Sequence, residues 1–241
     1  MQARQGLLVP GAFNALSARV VADMGFEAVY LSGAGLTNML YGLPDLAFIG
    51  LQDVAQATAA IRGAVDIPLI VDADTGFGNA LNVAHTVKVL ERAGADALQL
   101  EDQVFPKRCG HFSGKEVAPL AEMIGKIHAA VDARQDDNFM VIARTDARSS
   151  LGFEAAVERA MRMAEAGADI GFGEAAAAAD TAALGIIGIL LAAAGCKQRS
   201  CGGESNEGFH FHKLSFLYVL IFLLLYDQYP YPVYHDICFL A

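Results

Sequence analysis

Several short stretches of this chain bring together residue types that hold cations, steady anions or move protons. Asp72 and Asp74 stand two apart in Val71-Asp-Ala-Asp-Thr-Gly-Phe-Gly78. On an extended segment, residues two apart point to the same side. Two carboxylates held that close repel each other unless a proton or a cation lies between them. An all-oxygen donor set suits a hard divalent ion, and Mg²⁺ keeps several waters while taking one or two carboxylates directly. Glu101 and Asp102 form a second acidic pair able to complete such a shell. Capping of backbone N–H groups is the competing use for any one aspartate at a strand-to-helix turn. Acids at several neighbouring strand ends favour the cation.

Ser32-Gly33-Ala34-Gly35 reads as a small-residue loop after a strand, presenting N–H groups to a carboxylate or oxyanion. Arg144, in Arg144-Thr-Asp146, is a permanently charged bidentate partner for a carboxylate. Its purely structural use would be an ion pair with Asp146 or a neighbouring strand. The segment Gln103–Ser113 puts Lys107, Arg108, Cys109 and His111 within five residues, beside the Gly110 hinge. A cysteine flanked by cations has a lowered pKa and serves as proton donor or nucleophile. With no second Cys/His pair nearby, zinc is disfavoured, and His210 and His212 have no evident co-ligands.

These residues need elements to position them. Short Val-, Ile- and Leu-rich runs at 7–10, 28–32, 68–74, 97–102, 139–145 and 169–172 read as strands buried on both faces of a parallel sheet. Helical patterns over 14–24, 79–93 and 153–166 each stop at a glycine: Gly25, Gly94 and Gly167. Met24-Gly-Phe-Glu-Ala-Val-Tyr30, Ala93-Gly-Ala-Asp-Ala-Leu-Gln99 and Ala166-Gly-Ala-Asp-Ile-Gly-Phe172 repeat one pattern of helix end, glycine, acid and strand. Repeated β-α units leave an open doubly wound sheet or a closed (β/α)8 barrel. No dinucleotide or Walker glycine loop follows a strand. The expectation is an α/β chain of the (β/α)8 TIM-barrel type, with six of its eight strands recognisable. In such a barrel the chemistry sits at the C-terminal strand ends, which is where the polar residues fall.

Composition narrows the partners. The 241 residues carry a formal net charge of −10, which disfavours nucleic acid, and the 54% hydrophobic content excludes intrinsic disorder. The N-terminus shows no apolar run of a secretory signal, so a cytoplasmic location is expected. Residues 1–174 hold 14 basic and 22 acidic side chains, whereas 175–241 hold 3 and 5, with 10 of the 21 aromatics and three of the four cysteines. Two such regions read as a partial barrel catalytic domain (1–174) and an atypical apolar tail (175–241). The 13-residue run Leu214–Tyr226 falls short of the roughly 18–20 residues that span a bilayer, so membrane association is not expected. The abrupt seam suggests a tail of frameshifted, intronic or truncated origin, and an incomplete barrel leaves open sheet edges unless the tail supplies strands.

The chain resembles the isocitrate lyase/phosphoenolpyruvate mutase superfamily, most closely its short methylisocitrate lyase-like and dimethylmalate lyase-like members. The matching stretches are residues 8–14, 30–34, 71–78, 101–103, Lys107-Arg-Cys-Gly-His111 and 142–146. The resemblance implies a barrel that binds Mg²⁺ and a small 2-hydroxy or keto di- or tricarboxylate. It implies that Asp74 contacts Mg²⁺ most directly, with Asp72 and Glu101 acting through water and Asp45 on a mobile loop nearby. Ser32, Gly33 and Ala34 would hold the keto-acid carboxylate, and Arg144 would share in substrate binding. Lys107, Cys109 and His111 would belong to a lid, with Cys109 protonating the departing carbanion. Tyr30 and Arg144 would assist proton removal and stabilise an enolate, and Glu174 would lie near the lid. The implied activity is retro-aldol C–C cleavage in a homo-oligomer, a tetramer by resemblance. The alternatives are an oxaloacetate hydrolase or an inactive derivative. Beyond Glu174 the pattern ends.

Overall fold

In the computed structural model, which describes residues 7–110, 112, 114–173 and 219–220, strands and helices alternate along the chain. The order is β1 (Leu7–Leu8), β2 (Gly11–Ala12), α1 (Ala15–Asp23), β3 (Val29–Leu31), α2 (Gly33–Tyr41), α3 (Leu51–Arg62), β4 (Leu69–Asp72), α4 (Ala80–Ala93), β5 (Ala97–Glu101), α5 (Leu120–Ala133), β6 (Met140–Thr145), α6 (Ala147–Leu151), α7 (Phe153–Glu165), β7 (Ile170–Gly173) and β8 (Val219–Leu220). Strands β2 to β7 form one six-stranded sheet in chain order, every pair parallel. These are six strands of a (β/α)8-type barrel, and among the described residues the barrel does not close.

The expected first strand, 7–10, is split. Gly11–Ala12 pairs with β3, while Leu7–Leu8 pairs in parallel with Val219–Leu220. β1 and β8 form a two-stranded sheet of their own, apart from the six-stranded one. The rest of the 175–241 tail lies outside the described residues. No helix among them is long and apolar enough to cross a membrane.

Local chemistry explains the helix boundaries. Asn14 caps α1 by accepting from Ser17 N at 2.8 Å, while the Ser17 hydroxyl accepts from Asn14 N. Asn79 caps α4 in the same way. Gly94 ends α4 at φ +99°, and a Cβ there would stand 2.5 Å from Arg62 Cγ, so both backbone and space require glycine. Helices α2, α3 and α5 were not legible as strong patterns. Ser32-Gly-Ala-Gly35, read above as a loop, is in fact the cap and first turn of α2. The turn escapes pattern reading because small residues carry no apolar stripe.

Strand alternation separates two cores. Val29, Leu31, Leu69, Val71, Leu98, Leu100, Val141 and Ala143 face the helices in one continuous cluster. Truncating such a fully buried side chain, for example Leu98→Ala, costs about 2–5 kcal/mol. The opposite face carries Tyr30, Ile70, Ala97 and Ile142, packed with Val9 and Ala28. Further along β4, β5 and β6, the same face presents Asp72, Gln99, Glu101 and Arg144. Apolar side chains thus floor the barrel, and polar ones crown it.

Candidate active site

The crown residues meet because the parallel register brings them level. Glu101 stands opposite Arg144, with Arg144 Nη1 3.4 Å from Glu101 Oε2, and Asp72 stands opposite Gln99. Asp74 follows β4 in a left-handed conformation, φ +47°, which is strained for a residue with a Cβ and uncommon outside functional turns. Gly76 makes that turn possible: it lies at φ +87°, where a Cβ would be 2.4 Å from Val83 Cγ2. The turn is braced by Asp74 N donating to Asp72 Oδ1 at 3.1 Å and by Lys126 Nζ donating to Thr75 O at 3.1 Å.

The first turn of α2 points its N–H groups at the same place, as helix N-termini do for anions. Ser32 Oγ caps Gly35 N at 3.1 Å, and Gly33 N donates to Asp72 Oδ2 at 3.2 Å. A Cβ on Gly33 would stand 3.1 Å from that oxygen. Ser32, Gly33 and Ala34 are therefore beside Asp72, on a helix rather than a loop.

Lys107 is the centre of the acidic group. Its Nζ lies 2.6 and 2.8 Å from the two Asp45 carboxylate oxygens and 2.7 Å from Asp74 Oδ1, with the lysine only 4% exposed. Burial disfavours its charge, but Asp74, Asp72, Glu101 and Asp45 overcome that and hold its pKa above that of free lysine. Cys109, half-buried, is tied to the same loop through its N–H, which donates to Asp45 O at 3.0 Å. Gln103 closes the base of the segment, bonding Arg108 O at 2.9 Å and Arg108 N at 3.0 Å.

Desolvation dominates the acids. Burial, reinforced by Asp72 and opposed by Lys107, pushes the Asp74 carboxyl up to about 7. Burial likewise raises Glu101 well above the usual carboxylate range, against the pull of Arg144 and Lys107. Burial and Asp72 raise Tyr30 well above an ordinary phenol, so Tyr30 is a neutral hydrogen-bonding group.

A second network lies beside the first. Arg144 Nε and Nη2 donate to Asp146 at 3.0 and 3.2 Å, so the structural use open to Arg144 is realised together with its reach to Glu101. Asp102 is not part of a cation shell. Thr145 Oγ1 (2.6 Å), Asp146 N (2.9 Å) and Arg159 Nε (2.8 Å) all donate to its carboxylate. It is a capping and ion-pairing acid, the alternative that adjacency to Glu101 concealed. Burial works against the Asp146 charge, but Arg144 and Lys115 outweigh it and hold its pKa below the usual value.

His111 and Glu174, both expected near the lid, lie outside the described residues. Three groups were missed. Gln99, 2% exposed, shares the inward face with Glu101, and alternation from Glu101 would have found it. Arg159 is buried in the core-facing stripe of α7, where a charge signals a buried partner. Lys115 gave no signal, because the groups that receive it are remote in sequence or are backbone.

Among the described residues, no three His, Cys, Asp or Glu side chains stand as a ready metal-binding group, because the Lys107 ammonium sits on Asp45 and Asp74 instead. The donor chemistry nevertheless suits Mg²⁺. Glu101 Oε1 is a buried carboxylate oxygen without a hydrogen bond, and Asp74 Oδ1 has only the Lys107 ammonium, at 2.7 Å, as its partner. A hard oxygen left unbonded in a dry acidic pocket is what a divalent ion satisfies.

Parallel β/α units crowned by buried acids and cations at the C-terminal strand ends define the (β/α)8-barrel class. The family model described as phosphoenolpyruvate phosphomutase matches residues 1–187, running past the point where the sequence pattern fades. The chain is 53% identical to 2-methylisocitrate lyase of Aeropyrum pernix over 175 residues, covering 73% of this chain and 56% of that one. It superimposes on oxaloacetate acetylhydrolase bound to 3,3-difluorooxalacetate with a TM-score of 0.68 at 41% identity, covering 70% of this chain and 59% of the other. Phosphonopyruvate hydrolase in complex with oxalate and Mg²⁺ gives a TM-score of 0.65 at 39% identity, covering 70% and 58%. The chain belongs to the phosphoenolpyruvate mutase/isocitrate lyase superfamily. It spans less than two thirds of the length of these relatives.

Proposed function

We propose that the chain is a Mg²⁺-dependent carbon–carbon lyase that cleaves a small 2-hydroxy di- or tricarboxylate of the methylisocitrate type into a keto acid and a second carboxylate. The observation that carries this reading is the buried convergence of Asp45, Asp72, Asp74 and Glu101 around Lys107, with Glu101 Oε1 lacking a hydrogen bond. Asp74 would hold the ion most directly, with Asp72, Glu101 and Asp45 around it. When bound, Mg²⁺ supplies positive charge against the enolate oxygen that C–C cleavage leaves.

The chain's own groups account for the rest. Ser32, Gly33 and Ala34, at the start of α2, hold a carboxylate. Arg144 sets its guanidinium against negative charge developing on the substrate. Tyr30, kept neutral by burial, orients the substrate hydroxyl and assists the transfer of its proton. Cys109 delivers the proton that quenches the carbanion, with Lys107, His111 and Glu174 forming the closed environment above it. The domain division follows: residues 1–174 carry the catalytic groups, and the remaining residues belong to a separate apolar region. A homotetramer is part of the same reading.

The test is a substrate panel with Mg²⁺, including 2-methylisocitrate and 2,3-dimethylmalate. Release of a pyruvate- or glyoxylate-type keto acid supports the lyase, and no product from any of them overturns it. The similarity to oxaloacetate acetylhydrolase favours one second reading, hydrolysis of oxaloacetate to oxalate and acetate, which the same panel detects as oxalate. An inactive derivative would give neither product and no Mg²⁺-dependent thermal shift.

A further inference from the structure

We infer that Lys115 is a positioning residue of this site: one buried ammonium fixes the Cys109–Gly110 turn against the Arg144 guanidinium through Asp146. The inference rests on the roles proposed above for Cys109 and Arg144. Lys115 precedes α5 and belongs to no sheet, yet its side chain is 1% exposed. Its Nζ donates to Gly110 O at 2.5 Å and to Asp146 Oδ1 at 2.8 Å. Asp146 is fully buried and grips Arg144 through both oxygens. Gly110 directly follows Cys109, whose own carbonyl accepts from Phe112 N at 2.9 Å. One cation therefore links the thiol-bearing turn to the guanidinium, although 35 residues of sequence separate Cys109 from Arg144.

The physical reason for such a link is registration. An acid and an anion-stabilising group act on one intermediate only when both are held to within a fraction of an ångström. A buried ammonium has three donors to place. This one spends its second hydrogen bond on the backbone of the turn that carries the thiol. By sharing Asp146 Oδ1 with Arg144 it also fixes the carboxylate plane that sets the guanidinium.

The test uses the full chain with Lys115→Met, Lys115→Gln and Lys115→Arg. The primary readout is alkylation of Cys109 by iodoacetamide, followed on its own tryptic peptide so that Cys196, Cys201 and Cys238 do not contribute. Release of the turn in K115M is expected to raise that rate about tenfold, with K115R within about threefold of wild type because it keeps a cation for both oxygens. Turnover in K115M should fall about 10²-fold through kcat, with KM changed by less than about threefold. A folded K115M whose Cys109 reacts at the wild-type rate overturns the inference. Should K115M not fold, K115Q and K115R decide: K115Q reacting at least about threefold faster supports it, and equal rates overturn it. Alkylation reads the turn with or without substrate turnover. Absence of wild-type activity therefore counts against the proposed function, and unchanged alkylation counts against Lys115.

Discussion

Two buried charge clusters lie side by side at the same end of the sheet, and they are built oppositely. Around Lys107, Asp45 and Asp74 share one ammonium, Glu101 Oε1 lacks a hydrogen bond, and burial raises the Asp74 and Glu101 carboxyls. Around Asp102 and Asp146, three cations (Arg144, Arg159 and Lys115) serve two acids, every interaction is short, and the Asp146 carboxyl is lowered. Desolvation costs both clusters heavily, and only the second is compensated by its own partners. The first is kept short of positive charge, as a binding site must be. The second is saturated, as a support must be. Arg144 touches both, through Glu101 and Asp146.

Substitutions should break this contrast in opposite ways. The largest effect is on chemistry: Cys109→Ser is expected to lower kcat about 10²–10⁴-fold, measured by keto-acid release, while Mg²⁺ binding persists. Full activity in that variant removes Cys109 from the mechanism. Next comes stability. Asp102→Asn leaves Arg159 buried without its charge partner and should cost about 3–5 kcal/mol in denaturant unfolding.

Glu101→Gln, in the under-compensated cluster, should change stability by less than about 1 kcal/mol or improve it. For the wild type, Mg²⁺ at a hundred times Kd should stabilise by about 2.7 kcal/mol, read as a thermal shift that Asp74→Asn abolishes. Equal unfolding costs for Asp102→Asn and Glu101→Gln would erase the distinction between the clusters.

The smallest effect is in the pH profile, and the two clusters carry opposite signs. Asp74 binds its proton more tightly folded than unfolded. Without Mg²⁺ its contribution to stability is complete below pH about 4 and is lost as pH rises through about 7. Asp146 binds its proton less tightly when folded, so its contribution is complete above the unfolded pKa and is lost as pH falls below it. Melting temperatures from about pH 2 to 8 should flatten at the upper end in Asp74→Asn and at the acid end in Asp146→Asn.

Much of this was legible in the residues. The acidic strand ends, the Lys107–Cys109 segment and the repeated glycine-acid-strand pattern all follow from local rules of alternation and helix termination. Asp102 was misassigned because the remote Thr145 and Arg159 that occupy it leave no mark in the local sequence, although alternation already turns it away from Glu101. Ser32–Gly35 read as a loop because glycine and alanine carry no periodic signal, although the structure makes them the first turn of a helix. Arg159 and Lys115 were missed because their partners lie 57 and 31 residues away.

The sequence by itself determined which groups the site holds: period-two alternation and strand-end chemistry placed Tyr30, Asp72, Glu101 and Arg144 on one inward face. Only the tertiary structure decided how the charge is shared among them. Whether a buried carboxylate is satisfied or left wanting depends on which remote cation reaches it across the fold. That is why Asp102 became a support, Asp74 a candidate ligand, and Lys107 the ammonium between Asp45 and Asp74.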